Sequence, residues 1–385
     1  MPSVPQQRHR SALTGLRWLA MLACLPVMLS CGLWPPRIHP DFVQTFIDVQ
    51  RNGDDRAATA VFDPGLRVLA IGRESGRLEL WDAREAGVRR MREAHTARTE
   101  HIAFGVEDGI VLSNGLSSEP PHDDSPGTRV WDARSGELLH TLKGQWSPGP
   151  IAASPVRGLY LIADSSELLI YDHAKRAMVG SRLKMERDGQ VTAIGVDRAS
   201  GQIAVGTSHG DLLLLRLRIT EGTPRWDIVR QVSPQDQVAR SDVLALLFLD
   251  EGRRLVSAAR LPPAPGREQR AEVAQWDTAT LQRQRTYPIT LQTLHRASHT
   301  AGEPWIVLAG TVPPNRGKIE LVDLRSGVAW RYDANTSHPT AALLPEIRAG
   351  LILQSRGATR IRYLEEETRW REKQTLCAHP SAAPP

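Results

Sequence analysis

Side chains that bind metals or transfer protons are few and scattered in this sequence. His295 and His299 in "LHRASHT" have a four-residue spacing that would align two metal ligands on a helix, but the segment is predicted as strand and loop. The run His122, Asp123 and Asp124 could bind a cation together with loop carbonyls, although an acidic turn is usually only solvated. The sequence has no glycine-rich phosphate loop, Gly-x-Ser-x-Gly elbow or helical His-Glu-x-x-His motif. We therefore predict no catalytic residue, no metal site and no cofactor.

Three polar stretches that contain a Pro-Pro pair are the better candidates for a binding site. They read "SNGLSSEPPHDDSPG" (113–127), "RLPPAPGREQRAE" (260–272) and "TVPPNRG" (311–317). The first stretch is acidic and the second carries arginines, and a surface with charges of both signs suits a polar protein partner better than a phosphate backbone. The alternative is that exposed turns merely tolerate insertions. The candidate partner-binding residues are Glu119, His122, Asp123, Asp124, Arg267, Arg270 and Arg316.

The N-terminus has the pattern of an export signal. Arg8, Arg10 and Arg17 precede "WLAMLACLPVMLS", an apolar run that is too short to span a bilayer as a helix but suits a secretory signal peptide. The chain carries a formal charge of +5, and removal of these three arginines leaves +2 from Cys31 onward. So small a net charge argues against nucleic acid as a partner.

Directly after this run, "MLSCG" resembles the lipoprotein box of bacterial envelope proteins, in which the cysteine thiol is acylated before cleavage. The match departs from the family at Met28 and Leu29, and Cys24 fits about equally well but lies inside the apolar run. The resemblance implies that Cys31 is the lipidated mature N-terminus, and Gly32 after it favours the outer membrane, facing the periplasm. A plain cleaved signal and an uncleaved anchor are the alternatives. An acyl chain stabilises membrane attachment by about 0.8 kcal/mol per buried CH₂.

The mature chain has no means of forming a disulfide framework. Only Cys31 and Cys377 remain after removal of residues 1–30, and an acylated Cys31 cannot pair. At 385 residues with 41% hydrophobic and 24% charged residues, the chain has the composition of a globular protein that is stabilised by burial.

The rest of the chain consists of repeats of one sequence motif. The first unit, "TAVFDPGLRVLAIGRESGRLELWDAREAGVRRMREAH", reads as four strand-like runs separated by turns, with Trp81-Asp82 at the end of the third run. Later units align on the position of that aspartate at intervals of 40 to 61 residues. The seven anchors are Asp82, Asp132, Asp172, Arg216, Asp277, Asp323 and Leu364.

These units predict a ring of sheets. The segments alternate or run apolar for only four to eight residues, which favours strands over helical repeats of similar length. A four-stranded sheet cannot bury both faces alone, so such units stack radially around a channel. We predict an all-β, seven-bladed propeller of four-stranded antiparallel sheets, with six or eight blades also possible.

The units resemble the WD-repeat β-propellers over roughly residues 42–370. The resemblance rests on Trp81-Asp82, Trp131-Asp132 and Trp276-Asp277, on the weaker Tyr171-Asp172 and Val322-Asp323, and on His95 as the nearest match to the family's Gly-His pair. "VDLRSGVAW" (322–330) also resembles the repeat of quinoprotein-type propellers. We interpret each Trp or Tyr as a packing anchor and each Asp as a residue that bonds backbone N–H groups in a turn.

The predicted organisation is a signal peptide (1–30), a short tether (31–41), the propeller (42–370) and a flexible tail (371–385). For the outer strand of the last blade we favour "FVQTFIDVQ" (42–50), and "TRWREKQTL" (368–376) is the alternative.

Two functions remain open at this stage. The first is a lipid-anchored, monomeric and non-catalytic scaffold that binds periplasmic or outer-membrane proteins through the face on which the insertions lie. The resemblance implies the second, a propeller hydrolase of lactonase type or a quinoprotein-type dehydrogenase with its site at the channel. Polar residues that converge on a pocket at the channel mouth would favour the second.

Overall fold

The structure, a computed structural model, describes residues 55–374 with gaps at 64, 86–87, 106–108, 116–125, 144–147, 187–188, 233–241, 262–269, 300–303, 335–339, 345–348, 354–358 and 366–368. The signal peptide, Cys31, the tether and residues 42–50 lie outside the described residues, and the first three remain predictions. Within the described part, no helix is long and apolar enough to cross a membrane.

The described chain folds into seven antiparallel sheets, each made of four strands that are consecutive in sequence. We call these sheets blades 1 to 7. Blade 1 comprises β1 (Ala57–Asp63), β2 (Val68–Arg73), β3 (Arg77–Asp82) and β4 (Val88–Glu93), and blade 2 comprises β5 (Thr99–Phe104), β6 (Ile110–Gly115), β7 (Pro126–Asp132) and β8 (Leu138–Lys143). Blade 3 comprises β9 (Pro148–Ala153), β10 (Leu159–Asp164), β11 (Glu167–Asp172) and β12 (Ala177–Lys184), and blade 4 comprises β13 (Val191–Asp197), β14 (Gln202–Thr207), β15 (Leu212–Thr220) and β16 (Thr223–Val232). Blade 5 comprises β17 (Asp242–Leu249), β18 (Arg254–Leu261), β19 (Arg270–Asp277) and β20 (Arg283–Tyr287). Blade 6 comprises β21 (Thr293–His299), β22 (Trp305–Val312), β23 (Arg316–Asp323) and β24 (Ala329–Asp333). Blade 7 comprises β25 (Thr340–Leu344), β26 (Ala349–Leu353), β27 (Thr359–Glu365) and β28 (Arg369–Gln374).

The blades close into a ring. The first strand of each blade packs beside the first strand of the next, and β1 packs beside β25. At this junction the Thr340 hydroxyl donates a hydrogen bond to the Ala57 carbonyl at 3.0 Å. The prediction of an all-β, seven-bladed propeller is confirmed, and each of the seven sequence anchors lies on the third strand of its blade.

The outer strand of blade 7 corrects one expectation. This strand is Arg369–Gln374, which pairs antiparallel with β27, so the position that we favoured for segment 42–50 is occupied by the alternative segment. The physical reason is local. A strand that follows β27 after a short turn pairs at a much smaller loop-closure cost than one about 300 residues away.

The hydrophobic core is divided among the junctions between blades. Second and third strands such as β2 and β3 are covered on both faces and are buried almost throughout, whereas the outer strand β12 is mainly exposed. Between blades 1 and 2, for example, Val68, Leu80 and Ile102 pack with Trp131 in one cluster. Similar clusters fill the next four junctions.

The recurring aromatic-aspartate pair has the structural role predicted for it. Trp81, Trp131, Tyr171 and Trp276 are buried on the third strands of their blades. The following aspartates accept backbone N–H bonds within the next turn, with Asp132 Oδ1 at 3.0 Å from the Arg134 nitrogen and 2.6 Å from that of Ser135. The same bond forms at Asp82, Asp172, Asp277 and Asp323.

Two of the tryptophans are held by a buried serine on the neighbouring strand. The indole nitrogen of Trp131 donates to Ser113 Oγ at 2.9 Å, and that of Trp276 donates to Ser257 Oγ at 2.9 Å. Ser113 has a second buried partner, because His95 Nε2 lies 2.9 Å from the same hydroxyl oxygen. The hydroxyl of Ser113 therefore joins two side chains, whereas that of Ser257 holds one.

A two-stranded ribbon joins blades 3 and 4 at the rim. Strand β14 pairs with β15 only from Leu212 to Arg216, while β15 and β16 continue to pair as far as Thr220 and Thr223. The ribbon lies against β12, where the Trp226 indole donates to the Ser181 carbonyl at 2.9 Å. Gly180 has φ +72°, and a Cβ there would lie 2.2 Å from the Pro224 carbonyl oxygen, so the contact requires glycine.

We expect Ser113→Ala to destabilise the propeller more than Ser257→Ala. The first substitution leaves the donor of Trp131 and the ring nitrogen of His95 unpaired, and the second leaves only the donor of Trp276, at about 1–3 kcal/mol for each buried group. Urea unfolding of both variants measures the difference. Equal losses of stability would contradict the shared role of Ser113.

Burial also makes His95 sensitive to acid. Desolvation, together with the nearby positive charge of Arg129, lowers its pKa from 6.5 to about 3. The unfolded state therefore binds this proton first, and stability decreases as the pH falls from about 6.5 toward 3. Between pH 7 and pH 5 the wild type should lose about 2 kcal/mol more unfolding free energy than His95→Gln, which does not titrate. Parallel pH profiles for the two proteins would show that His95 does not titrate in this way.

Candidate functional site

One face of the ring collects the connections that the sequence marked as candidate binding loops. Because every blade has the same meander, the turns between second and third strands and the connections between blades project from the same side. We call this side the loop face. Arg270 and Arg316 lie there, exposed, at the first positions of β19 and β23. Glu119, His122, Asp123, Asp124 and Arg267 lie outside the described residues.

The Pro-Pro stretch of blade 6 is shorter than the sequence suggested. Strands β22 and β23 pair from Trp305↔Asp323 to Val312↔Arg316, so the turn comprises only residues 313–315. This is the same length as the turn of residues 74–76 in blade 1. The additional residues extend the strands because Thr311 and Val312 are suited to β-structure. Segments 116–125 and 262–269 are the two long connections between second and third strands.

A groove of about 590 Å³ opens on the loop face between blades 5 and 6. Its walls come from the ends of β18 and β19, which flank segment 262–269, and from the connection between β20 and β21. Apolar side chains such as Leu261 and Ile289 lie beside Arg270 and Glu272. Glu272 pairs with Arg283 at 3.0 Å. The groove thus combines apolar contact area with charges of both signs.

A buried glutamate holds the wall of this groove in place. Glu320, on β23, is fully buried and accepts the backbone N–H of Thr290 at 2.9 and 3.1 Å. It also accepts the Thr290 hydroxyl and lies 3.4 Å from the Arg331 guanidinium. The connection between blades 5 and 6 is therefore fixed to blade 6 by this carboxylate, together with the backbone bond from the Gln292 N–H to the Thr311 carbonyl at 2.9 Å.

A second cavity, of about 330 Å³, lies at the mouth of the central channel on the loop face. We call it the channel-mouth pocket. Small residues from blades 1 and 7 form one part of its wall, and charged residues from blades 1, 2, 5 and 6 form the rest. The lining residues are Ala57, Ala58, Glu74, Arg98, Glu100, Arg260, His295, Arg296 and Thr340.

The charges around this pocket face one another without close pairing. Glu100 lies 3.3 Å from Arg98 and 3.8 Å from Arg296, which belongs to blade 6. Arg98 also lies 3.5 Å from Glu74. Arg260 is positioned differently, since its Nε and Nη2 atoms donate to the Leu294 carbonyl at 3.2 and 2.9 Å.

Burial affects the carboxylates in and near the pocket. Desolvation raises the pKa of Glu100 above its ordinary value, and the negative charge of Glu74 adds to this effect while Arg98 opposes it. Desolvation likewise raises the pKa of Asp242, which lies 3.7 Å from Arg260. Carboxylates perturbed in this way within a cleft are frequent at functional sites.

The histidine pair does not form a metal site in the way its spacing would permit on a helix. His295 and His299 both lie on β21, where a four-residue separation places the two residues about 13 Å apart along the strand. Within the part of the chain that the structure describes, no group of three or more His, Cys, Asp or Glu side chains is arranged to hold a metal ion.

Sequence reasoning missed the residues of the channel-mouth pocket. They lie far apart in sequence and match no motif, but they share a position within the repeat. Arg98 and Glu100 lie at or just before the beginning of a first strand, and Arg296 is the fourth residue of another. Glu74 lies in a turn between second and third strands, and Arg260 lies near the end of a second strand. Alignment of the units by strand would have gathered them at one end of the channel.

Comparison with known proteins adds no family to the propeller architecture that the structure shows. The chain matches no known protein-family model, and a search of curated protein sequences finds no significant match. The class of this protein therefore rests on its seven blades.

We expect Glu320→Ala to loosen the groove wall. Loss of the carboxylate leaves the Thr290 N–H without its acceptor, at a cost of about 1–3 kcal/mol. Hydrogen exchange of the amides of residues 289–291 should become faster than in the wild type. The control is Glu93→Ala, which removes an exposed ion pair with Arg77 and should leave the stability nearly unchanged. Unchanged exchange at 289–291 would show that Glu320 does not fix this connection.

Proposed function

We propose that this protein is a non-catalytic interaction scaffold of the bacterial cell envelope that binds a protein partner through its loop face. The observation that carries the proposal is the convergence of features on one side. The strand ends that flank both long connections, the groove between blades 5 and 6, and the channel-mouth pocket all lie there. Loops on a rigid ring provide a binding surface that can vary without disturbing the core.

The chemistry of the groove supports a protein partner of mixed polarity. Leu261, Ile289 and Leu291 offer apolar contact, while Arg270 and Glu272 add one charge of each sign. Protein interfaces combine an apolar centre with a polar rim in this way. The predicted residues Glu119, His122, Asp123, Asp124 and Arg267 extend the proposed surface along the two long connections, and Arg316 borders it.

The location and family of the protein form part of the same proposal. The signal-like N-terminus and the box around Cys31 support a lipid-anchored protein at the periplasmic side of the outer membrane. The bonds that join His95 and Trp131 through Ser113 support the resemblance to WD-repeat propellers, because they connect both signature positions of that family. We propose a monomer that needs no cofactor and does not bind nucleic acid.

The channel-mouth pocket meets the geometric condition set for the second candidate, a propeller enzyme with its site at the channel. Polar residues from four blades do converge on a pocket of about 330 Å³, as the enzymatic alternative requires. The groups present are mainly guanidinium and carboxylate groups that face each other at 3.3 to 3.8 Å. Opposed charges of this kind recognise charged ligands more readily than they activate a nucleophile. Binding is therefore the function we infer for this pocket as well.

Affinity capture from envelope extract tests the scaffold proposal. In the loop variant, residues 117–124 and 263–268 are replaced by short Gly-Ser linkers, which removes most of both long connections. We expect this variant to lose at least one protein that the lipidated wild type captures. The control variant carries Arg134→Ser and Lys175→Ser, in turns on the opposite face, and should keep every captured protein.

Thermal unfolding of both variants shows that the ring remains folded. Capture of the same proteins by the loop variant and the wild type would refute the loop face as the partner surface. If only the control variant lost captured proteins, the partner-binding surface would lie on the opposite face.

A further inference from the structure

The channel-mouth pocket has an unusual distribution of charge that the scaffold proposal does not use. Three guanidinium groups, those of Arg98, Arg260 and Arg296, share one cavity with the carboxylates of Glu74 and Glu100. Several exposed ion pairs elsewhere in the described structure are shorter, for example Arg77 with Glu93 at 2.8 Å. Around the pocket the charged pairs lie at 3.3, 3.5 and 3.8 Å.

Two of these arginines retain donors that the protein does not use. Among the described residues, the carboxylate that forms an ion pair with Arg296 is that of Glu100, and their separation of 3.8 Å exceeds hydrogen-bond length. The Nε atom of Arg98 is buried and has no aligned acceptor in the described structure, although two carboxylates lie within 3.5 Å of it. A guanidinium group has five N–H donors in a planar fork, and a carboxylate is the ligand that matches this fork.

The opposed charges exclude ligands of a single sign. A simple anion that binds Arg296 would lie close to Glu100, and a simple cation that binds Glu100 would lie close to Arg98 and Arg296. Like charges so close together cost binding free energy, especially where burial weakens solvent screening. A ligand that brings one positive and one negative group satisfies both sets of side chains.

We propose that the channel-mouth pocket binds a small zwitterion, namely a free amino acid or a short peptide, with its carboxylate at Arg296 and Arg98 and its ammonium group at Glu100 and Glu74. The ligand takes the place of the loose pairing between Glu100 and Arg296. This site is separate from the groove between blades 5 and 6, and the inference does not depend on the scaffold function.

The size of the pocket agrees with this ligand class. A volume of about 330 Å³ lies at the lower end of the range of roughly 300–1,000 Å³ for small-molecule sites. Ala57, Ala58 and Thr340 leave this space open, because larger side chains at these positions would fill it. The pocket opens at the mouth of the channel on the loop face, so a ligand can enter from solvent.

Isothermal titration calorimetry with the folded propeller tests the proposal. The probes are glycine, L-alanine, L-glutamine, L-lysine, L-glutamate and the dipeptide alanyl-alanine, with acetate and ethylamine as controls of single charge. We expect at least one zwitterion to bind and the single-charge controls to bind at least tenfold more weakly. A dipeptide acetylated at one end and amidated at the other separates recognition of the termini from recognition of the peptide body.

The variants Arg296→Gln and Glu100→Gln keep the shape of their side chains and remove one charge each. Each should weaken zwitterion binding at least tenfold. Arg182→Gln, which alters an exposed pair with Glu167 on the rim of blade 3, should leave it unchanged. Glu74→Gln provides a second test at a more exposed position, with a smaller loss expected, in case a pocket substitution impairs folding.

Three results would overturn the inference. The first is the absence of binding heat for every zwitterion at concentrations up to about 10 mM. Such concentrations are well above the dissociation constant of about 1 mM that a weak ligand would have. The second is equal binding of acetate with no effect of Glu100→Gln, which would define a simple anion site. The third is zwitterion binding that is unaffected by both Arg296→Gln and Glu100→Gln, which would place the ligand elsewhere.

Discussion

The packing of each sheet against its two neighbours is the constraint on which this structure depends. A four-stranded sheet has two apolar faces, and the second and third strands are buried on both of them. The hydrophobic clusters accordingly lie between blades, so the stability of one blade depends on the presence of the next. The junction of Thr340 with Ala57 completes this dependence, because it joins residues 283 positions apart in the chain. Closure has a large entropic cost that the packing at all of the junctions must offset.

The same constraint determines where ligands can bind. The faces of the sheets are used for packing, which leaves the two ends of the ring and its rim available for binding. At the loop end the chain supplies long connections, and at the channel it supplies first strands from several blades. Residues that are distant in sequence thus meet at one place, as Glu100 of blade 2 and Arg296 of blade 6 do at the mouth of the channel. The groove is more local, since neighbouring blades 5 and 6 form it alone.

Much of the fold could be predicted because its signals are local. The aromatic-aspartate pairs identified the third strand of each blade, and the aspartates bond the turns as their position implies. Degenerate units were also placed correctly, since Arg216 and Leu364 lie on the third strands β15 and β27. These predictions succeeded because a strand and its turn are specified within about ten residues.

The features that sequence reasoning missed depend on contacts between distant residues. Glu320 fixes Thr290 from another strand, and no local pattern marks that glutamate as buried. Arg73 and Glu79 form a buried pair at 2.8 Å that also holds the Trp81 indole, although charged residues normally predict exposure. The length of the turn at residues 313–315 was overestimated because Thr311 and Val312, which are suited to β-structure, extend β22. The charges of the channel-mouth pocket required a three-dimensional ring before their proximity could be recognised.

The ribbon of β15 and β16 has a consequence for how the propeller behaves in a crowded compartment. The outer strand of a blade has unpaired backbone groups along one edge, and such an edge can pair with a strand of another molecule. The ribbon covers part of the edge of β12 and bonds the Ser181 carbonyl through Trp226. Any side chain at position 180 would push the ribbon away from β12. The absence of a side chain at Gly180 therefore helps to protect the rim of blade 3 from intermolecular strand addition and aggregation.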